Sequence, residues 1–190
     1  MPAAGNIVKK GVAGSILTLP FSGEAWPAPR AGSERRGSAM KLPQTGGCQC
    51  RAIRYEIRKA PQLVYTCHCT ECQRLTGSAF SMGLVVAADA FDCTGTQPRP
   101  FFRTADSGRR VTRWVCPICG TWIWSGRKPE PAAGGALRVR AGTLDDTSWL
   151  RPTVHFWTRS VQPWVVLPEG DQRFETQPED LAWMRAGSAQ

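Results

Sequence analysis

The sequence predicts a single, mainly β domain made of many short antiparallel strands and a few short helices. Three observations support this fold class. From Cys50 onward apolar residues recur at every second position, Gly and Pro separate the short apolar runs, and 190 residues suit one domain better than two. Seven of the eight cysteines also form three tight groups, which indicates metal binding in addition to a hydrophobic core.

Residues 1–39 differ from the rest, being rich in Gly, Ala, Ser and Pro. We expect either a disordered extension or non-native residues ahead of a start at Met40. An apolar segment at 11–21 follows Lys9 and Lys10 as in a signal peptide, but no clear small-residue cleavage site comes after it. The folded domain is therefore predicted over residues 40–168.

The clearest strand signal lies at 53–57, where Ile53, Tyr55 and Ile57 alternate with charged residues. This alternation is typical of a strand with one face in water. Short apolar runs between turn residues predict eight further strands. They cover residues 63–66, 80–86, 100–103, 111–115, 121–124, 137–141, 154–157 and 164–167.

Two short helices are also predicted. Thr70 can cap a helical turn that runs to Leu75 and ends at Gly77. The second helix opens at Pro178 and ends at Gly187, within an acidic C-terminal tail over residues 169–190.

The cysteine groups favour zinc over disulfides. Cysteines one or two residues apart are awkward to bridge to each other, whereas several sulfurs aimed at one point match a tetrahedral zinc site. The groups are Cys48 with Cys50, then Cys67, Cys69 and Cys72, and then Cys116 with Cys119. The remaining residue, Cys93, is expected to be a free thiol.

The run CPICG at 116–120 is typical of a zinc knuckle, a tight turn that supplies two sulfur ligands. Cys48 and Cys50 can supply the other two. A site closed by Cys48, Cys50, Cys116 and Cys119 has no open position, so its expected role is structural.

Cys67, Cys69 and Cys72 supply only three sulfurs, and the open fourth position is typical of a catalytic zinc. Alternatively His68, or more distant His155, closes this site as well. Three thiolates outweigh the charge of Zn²⁺, so the open site suits binding a substrate thiol better than activating water. His155 is a candidate for transferring a proton at this site, or else a satisfied histidine on a strand.

These residues resemble the glutathione-dependent formaldehyde-activating enzyme (GFA) family, also called the CENP-V/GFA domain. The resemblance covers residues 43–168. It is carried by GGCQC at 46–50, the three cysteines at 67–72 with Arg74 and Gly77, CPICGT at 116–121, GTLDD at 142–146, and the run from Pro152 through His155 to Ser160 and Trp164.

The resemblance implies an Mss4-like complex antiparallel β fold with zinc-knuckle elements. It also implies two zinc ions per chain, a structural one on Cys48, Cys50, Cys116 and Cys119 and a catalytic one on Cys67, Cys69 and Cys72. The implied activity is that of a carbon–sulfur lyase, an S-(hydroxymethyl)glutathione synthase that reversibly joins formaldehyde to glutathione. The expected partners are a small thiol and a small aldehyde, in the cytoplasm.

A second hypothesis is a non-catalytic, zinc-stapled module whose basic surface binds nucleic acid or an acidic protein. The formal net charge of +9 favours it, but 19 of the 24 basic residues are Arg, a bias that a GC-rich coding sequence can produce. A third is a redox or metal sensor that uses the three cysteines at 67–72 as reactive thiols. The absence of any stretch of 18 apolar residues predicts no membrane-spanning helix.

Overall fold

The computed structural model describes residues 39–105, 108, 110–126 and 135–178. Within them the predicted mainly β class is confirmed. The strands are β1 (Gln44–Gly47), β2 (Ile53–Ile57), β3 (Leu63–Cys67), β4 (Ser81–Ala87), β5 (Phe91–Gly95), β6 (Arg99–Thr104), β7 (Arg110–Val115), β8 (Trp122–Ser125), β9 (Ala136–Arg140), β10 (Val154–Phe156) and β11 (Gln172–Phe174). The helices are α1 (Thr70–Thr76) and three 3-10 turns at Ala88–Ala90, Ala141–Thr143 and Thr158–Ser160.

The strands form two sheets. The larger has the order β11-β10-β3-β4-β9-β8-β7-β6, and the smaller has the order β1-β2-β5. Neighbouring strands are antiparallel, except that β10 runs parallel to both β3 and β11. The expected antiparallel architecture is thus confirmed for most of the fold, with one mixed edge in the larger sheet.

The main hydrophobic core joins the two sheets. Ile53, Tyr55 and Ile57 of β2 are 0%, 3% and 1% exposed, and they pack in one cluster with residues of β4, β8 and β9. The charged residues between them stay half-exposed, as the alternation predicts. Burial of this apolar face therefore fixes the smaller sheet against the larger one.

The two faces of β3 serve different neighbours. Val64 packs against the main core, whereas Leu63 and Tyr65 join a second cluster with Val154 and Phe156 of β10. Because side chains alternate along a strand, Cys67 shares the face of Tyr65, and Thr66 shares the face of the main core. This division decides which residues can reach the Cys67 sulfur.

Most strand predictions are confirmed, but 164–167 is wrong. Trp164 and Val166 are 70% and 88% exposed, and the segment forms no strand. Pro163 and Pro168 flank it, and a proline cannot donate to a sheet ladder. The β-branched run alone was therefore a misleading signal.

Three strands were not predicted from the sequence: β1, β5 and β11. β1 contains Gly46 and Gly47, so it carries no alternating apolar pattern. The structure shows why glycine is needed there, since a Cβ on Gly46 would lie 2.3 Å from the Tyr55 ring and 2.5 Å from the Thr143 carbonyl oxygen. β11 lies in the tail expected to begin at residue 169 and extends the larger sheet beyond β10.

The helix at 70–76 is confirmed with one correction. Cys69, not Thr70, is the N-cap residue, because Cys69 keeps an extended backbone and its sulfur accepts the Cys72 amide. Gly77 ends the helix in the left-handed conformation with φ of 61°.

Some expectations lie outside the described residues, namely the N-terminal extension up to residue 38 and the C-terminal helix from residue 179 onward. Among the described helices, none has the length and the apolar run that crossing a bilayer would need.

We predict that Gly46→Ala destabilises the domain by about 1–3 kcal/mol, because the new methyl group has no space between Tyr55 and the Thr143 backbone. Urea unfolding of the metal-loaded protein would measure the loss. Gly142→Ala is the matched control, since a Cβ there meets no atom within 4 Å. Equal stability of the two variants would contradict the prediction.

Candidate metal centres

The first cysteine group lies where two turns meet. Cys48 and Cys50 occupy the turn between β1 and β2, and Cys116 and Cys119 occupy the turn between β7 and β8. All four Sγ atoms lie within 4.8 Å of one another. The Cys50 sulfur is 3.5 Å from that of Cys48 and 3.8 Å from that of Cys116.

These separations fit a tetrahedral metal ion. A zinc–sulfur bond of about 2.3 Å places two ligand sulfurs about 3.8 Å apart. All eight cysteines are free thiols, so no disulfide competes for these sulfurs. The thiol set, its spacing and its tetrahedral proportions together suit a closed zinc site.

Hydrogen bonds from the surrounding chain favour the thiolate forms. The Ile53 amide donates to the Cys48 sulfur at 3.2 Å, and the Thr121 hydroxyl lies 3.1 Å from the Cys119 sulfur. The Thr121 hydroxyl and amide lower the pKa of Cys119 to about 5. Gly120 closes the knuckle with φ of 74° and donates its amide to the Cys116 carbonyl oxygen at 2.9 Å.

The second group, which we call the cysteine trio, consists of Cys67, Cys69 and Cys72. Cys67 ends β3, Cys69 caps α1, and Cys72 lies in the first turn of that helix. Their Sγ atoms lie within 4.8 Å of one another, and each residue is half-buried. The Cys72 amide donates to the Cys69 sulfur at 3.4 Å.

Negative charge on the trio falls first on Cys72. Hydrogen bonds from the thiols of Cys67 and Cys69 are the main cause, with further contributions from Ser81 and the positive charge of Arg140. Together they lower the pKa of Cys72 to about 2 despite its burial. The same sharing of protons raises the pKa of Cys67.

No fourth His, Cys, Asp or Glu joins the trio within 4.8 Å among the residues that the structure describes. His68, one of the two residues considered for closing the site, is fully buried with Nε2 at 2.9 Å from the Thr66 hydroxyl. Its Nδ1 is buried without a hydrogen-bond partner. The trio is therefore a three-ligand set in the described chain.

His155 lies apart from the trio. Its Nδ1 is 2.7 Å from the Thr66 hydroxyl, and its Nε2 is 3.0 Å from the Asp171 carboxylate. Its register partner in β3 is Thr66, whose side chain projects from the face opposite to Cys67. The proton-transfer role expected of His155 stays a prediction, and the structure brings this residue to Thr66 and Asp171 instead of the three sulfurs.

The paired acidic residues Asp145 and Asp146 of the GTLDD run contact other parts of the protein than the trio. Asp145 pairs with Arg54 and accepts the Thr45 hydroxyl at 2.6 Å. Asp146 accepts the Ser148 amide at 2.9 Å. Asp145 therefore ties its loop to β1 and β2, and Asp146 stabilises its own turn.

Cys93 belongs to neither cysteine group, and burial raises its pKa. It lines a cavity of about 290 Å³ with Phe91 and Trp124. A second cavity of about 340 Å³ is lined by Thr45, Arg54 and Tyr55, among others. Neither cavity is lined by a cysteine of the trio.

The arginines around the trio are functional candidates that the sequence pattern does not reveal. Arg140 contacts Ser81 and Tyr65, and Arg103 pairs with Glu71 beside Cys72. In the sequence of β9, Arg138 and Arg140 alternate with Leu137 and Val139. This alternation is typical of a strand whose charged face lies in solvent. No pattern in the sequence separates Arg140 from an exposed arginine.

The fold and the two cysteine groups define a small, mainly β domain with two thiol sites, each able to hold a metal ion. The sequence profile described as "Glutathione-dependent formaldehyde-activating enzyme" matches residues 43–160, more than half of the chain. The chain belongs to this family, the GFA family.

Three curated relatives are provisionally named glutathione-dependent formaldehyde-activating enzymes, and each is 24% identical to this chain. The match to the Talaromyces marneffei protein covers 65% of this chain and 66% of the relative. For the Penicillium rubens protein the shares are 55% and 55%, and for the Podospora anserina protein 60% and 54%. The chain thus spans less than two thirds of the length of these relatives.

Among solved structures, a crystal structure of a Rhodobacter sphaeroides protein is 15% identical, with a TM-score of 0.41. The match covers 68% of this chain and 98% of that one.

Thr66→Val is predicted to destabilise the domain by about 1–3 kcal/mol. The shape is kept, but ring nitrogens of His68 and His155 lose the hydroxyl that both contact. Chemical denaturation would measure the change. Thr94→Val, the same substitution at an exposed strand position, should shift stability by less than about 0.5 kcal/mol. An unchanged free energy of unfolding in Thr66→Val would contradict the prediction and show that the two histidines find other hydrogen-bond partners.

Proposed function

We propose that this chain is a zinc-dependent enzyme of the carbon–sulfur lyase type, which reversibly joins a thiol such as glutathione to formaldehyde or another small aldehyde. One observation carries the proposal. A member of the GFA family presents three thiols that converge within 4.8 Å, with no fourth His, Cys, Asp or Glu ligand among the described residues. Three protein ligands leave room for a substrate atom.

The two cysteine groups receive different roles in this proposal. Cys48, Cys50, Cys116 and Cys119 would hold a structural zinc ion, since four thiolates complete its coordination. Cys67, Cys69 and Cys72 would hold the catalytic one. Free thiols in both groups suit a reducing compartment such as the cytoplasm.

When bound at the trio, zinc would supply a soft Lewis acid that keeps a thiol deprotonated near neutral pH. The chain's own residues set the charge there. Three thiolates make the site anionic, and Arg140 offsets part of that charge from beside Cys72. An anionic site is a poor activator of water and a suitable one for a thiol.

The reaction needs no oxidant or reductant. An electron pair of the thiolate sulfur forms the carbon–sulfur bond, the carbonyl π pair moves to oxygen, and that oxygen takes up a proton. The thiol releases one proton and the oxygen takes up one, so the overall reaction neither consumes nor releases protons. His155 contacts β3 through Thr66, next to Cys67, so in this scheme it would position that strand, in place of the proton transfer that the sequence predicts for it.

One observation supports a second candidate function, a basic binding surface for nucleic acid. Phe101 and Phe102 on the edge strand β6 are 49% and 55% exposed. The guanidinium carbons of Arg99 and Arg110 lie 5.2 Å and 3.9 Å from the centroids of these two rings. Consecutive residues project from opposite faces of a strand, so each face of β6 offers one exposed ring beside one arginine, which can stack on an unpaired base. Salt-dependent RNA binding that survives Cys69→Ser would favour this function.

The proposed metal roles predict different losses for single cysteine variants. Cys119→Ser should lose the structural ion and compromise the fold, whereas Cys69→Ser should lose only the second ion and keep the fold. Metal content by mass spectrometry, with circular dichroism, would measure both effects. Cys93→Ser is the control and should keep two zinc ions per chain. A native-like Cys119→Ser variant would contradict the structural role.

If the protein has the proposed activity, it should accelerate the interconversion of free ¹³C-formaldehyde and its adduct with glutathione. NMR exchange spectroscopy would measure the rate of this interconversion with and without protein. Wild-type protein should raise the exchange rate, and Cys69→Ser and Cys72→Ser should return it to the rate without protein. Cys93→Ser should behave like the wild type. If protein that carries two zinc ions left the interconversion rate unchanged, the proposal would be refuted.

A further inference from the structure

Three arginines from three strands of the larger sheet connect to the surroundings of the trio through side-chain contacts. Arg103 pairs with Glu71 of α1, Arg140 donates to Ser81, and Arg113 lies over the Trp122 ring that Arg140 also contacts. Arg103 belongs to β6, Arg113 to β7 and Arg140 to β9. We call them the arginine cluster. The three side chains differ in their hydrogen bonds, ring contacts and ion pairs, and these differences indicate a separate role for each arginine.

Arg140 is fixed in place as part of the site wall. It is 7% exposed, and its guanidinium donates to the Ser81 hydroxyl at 3.2 Å and to the Tyr65 hydroxyl at 2.8 Å. Ser81 is the cross-strand partner of Cys67, so both side chains project from the same face. Arg140 therefore holds a positive charge on the face that carries the Cys67 sulfur.

Arg113 shares an aromatic ring with Arg140. Their guanidinium carbons lie 5.1 Å and 4.2 Å from the centroid of the Trp122 ring. Arg113 is half-buried, and its Nε is buried without a hydrogen-bond partner. Burial and the charge of Arg103 lower the pKa of Arg113, while Cys72 and Glu71 oppose this shift. Through the shared Trp122 ring, Arg113 lies next to Arg140, which contacts Ser81 on the face that carries Cys67.

The charges of the cluster do not cancel. Arg103 pairs with Glu71, whose carboxylate oxygen lies 2.6 Å away, and the exposed Arg74 shares that carboxylate at 3.7 Å. Among the residues that the structure describes, no carboxylate forms an ion pair with Arg113 or Arg140. Three thiolates and a divalent ion leave one negative charge, which Arg140 can balance. The positive charge of Arg113 remains unmatched.

We propose that Arg113, whose guanidinium lies over the Trp122 ring, is a specificity-determining residue that binds the carboxylate of an anionic thiol substrate. A guanidinium can stack on a ring and still offer a planar pair of N–H donors, which matches the geometry of a carboxylate. The inference rests on the proposed function, because it assumes that the thiol end of the same molecule lies at the trio. It narrows the substrate class to thiols that carry a carboxylate.

The test compares glutathione with its diethyl ester, which keeps the thiol and the amine but lacks both carboxylate charges. Isothermal titration calorimetry on the zinc-loaded full chain measures both affinities without turnover. Wild-type protein should bind glutathione at least about tenfold more tightly than the ester. In Arg113→Gln the affinities for glutathione and for the ester should agree within about twofold, and the affinity for the ester should equal that of the wild type.

Arg110→Gln is the matched control. Arg110 lies on the same strand and also stacks on an aromatic ring, that of Phe102, but an odd spacing of three residues places it on the other face. This variant should keep the full preference for glutathione. Arg113→Lys keeps the charge without the planar fork and should keep a reduced preference, which supplies a second reading if Arg113→Gln folds poorly.

The outcomes separate the two proposals. Equal binding of both ligands by wild-type protein, or an undiminished preference in both Arg113 variants, would overturn the role of Arg113 and leave the thiol site intact. Failure of a chain that carries two zinc ions to bind either ligand would overturn the proposed function, and the inference with it.

Discussion

The meeting of four sulfur atoms from two distant turns is the constraint on which the fold depends. Cys50 and Cys116 are 66 residues apart in the chain, yet their sulfurs lie 3.8 Å apart. Cys48 and Cys116 are also members of the main hydrophobic core, at 4% and 1% exposed. Sulfur convergence and apolar burial therefore hold the smaller sheet to the larger one at the same place. Any ion bound there couples its binding free energy directly to folding.

The alternation of side chains along β3 then separates two chemistries that are neighbours in sequence. Thr66 projects toward the main core and contacts His68 and His155, while Cys67 projects to the opposite face with Tyr65. The buried histidine network thus supports the sheet from one side and the trio occupies the other. A substrate at the trio would meet sulfur and arginine, and the described cavities lie elsewhere.

The sequence was informative where local spacing determines geometry. The spacing of Cys48 with Cys50 and of Cys116 with Cys119 predicts paired ligands, and the alternation at 53–57 predicts a strand with one buried face. It was uninformative where function depends on contacts across strands. Arg140 becomes part of the site only because β9 pairs with β4, and His155 reaches Thr66 only because β10 runs parallel to β3. β1 was missed because close packing against Tyr55 requires glycine there.

The arginine-rich composition also acquires a physical meaning from the structure. A biased coding sequence explains an excess of Arg over Lys, but at Arg113 and Arg140 a lysine would lose the contact of a planar guanidinium with the Trp122 ring. It would also lose the fork by which Arg140 reaches both Ser81 and Tyr65. The relevant positive charge is therefore local and oriented, whereas the formal net charge of +9 describes the whole chain. A small anion beside the trio would experience these two guanidiniums, whatever the charge of the remaining surface.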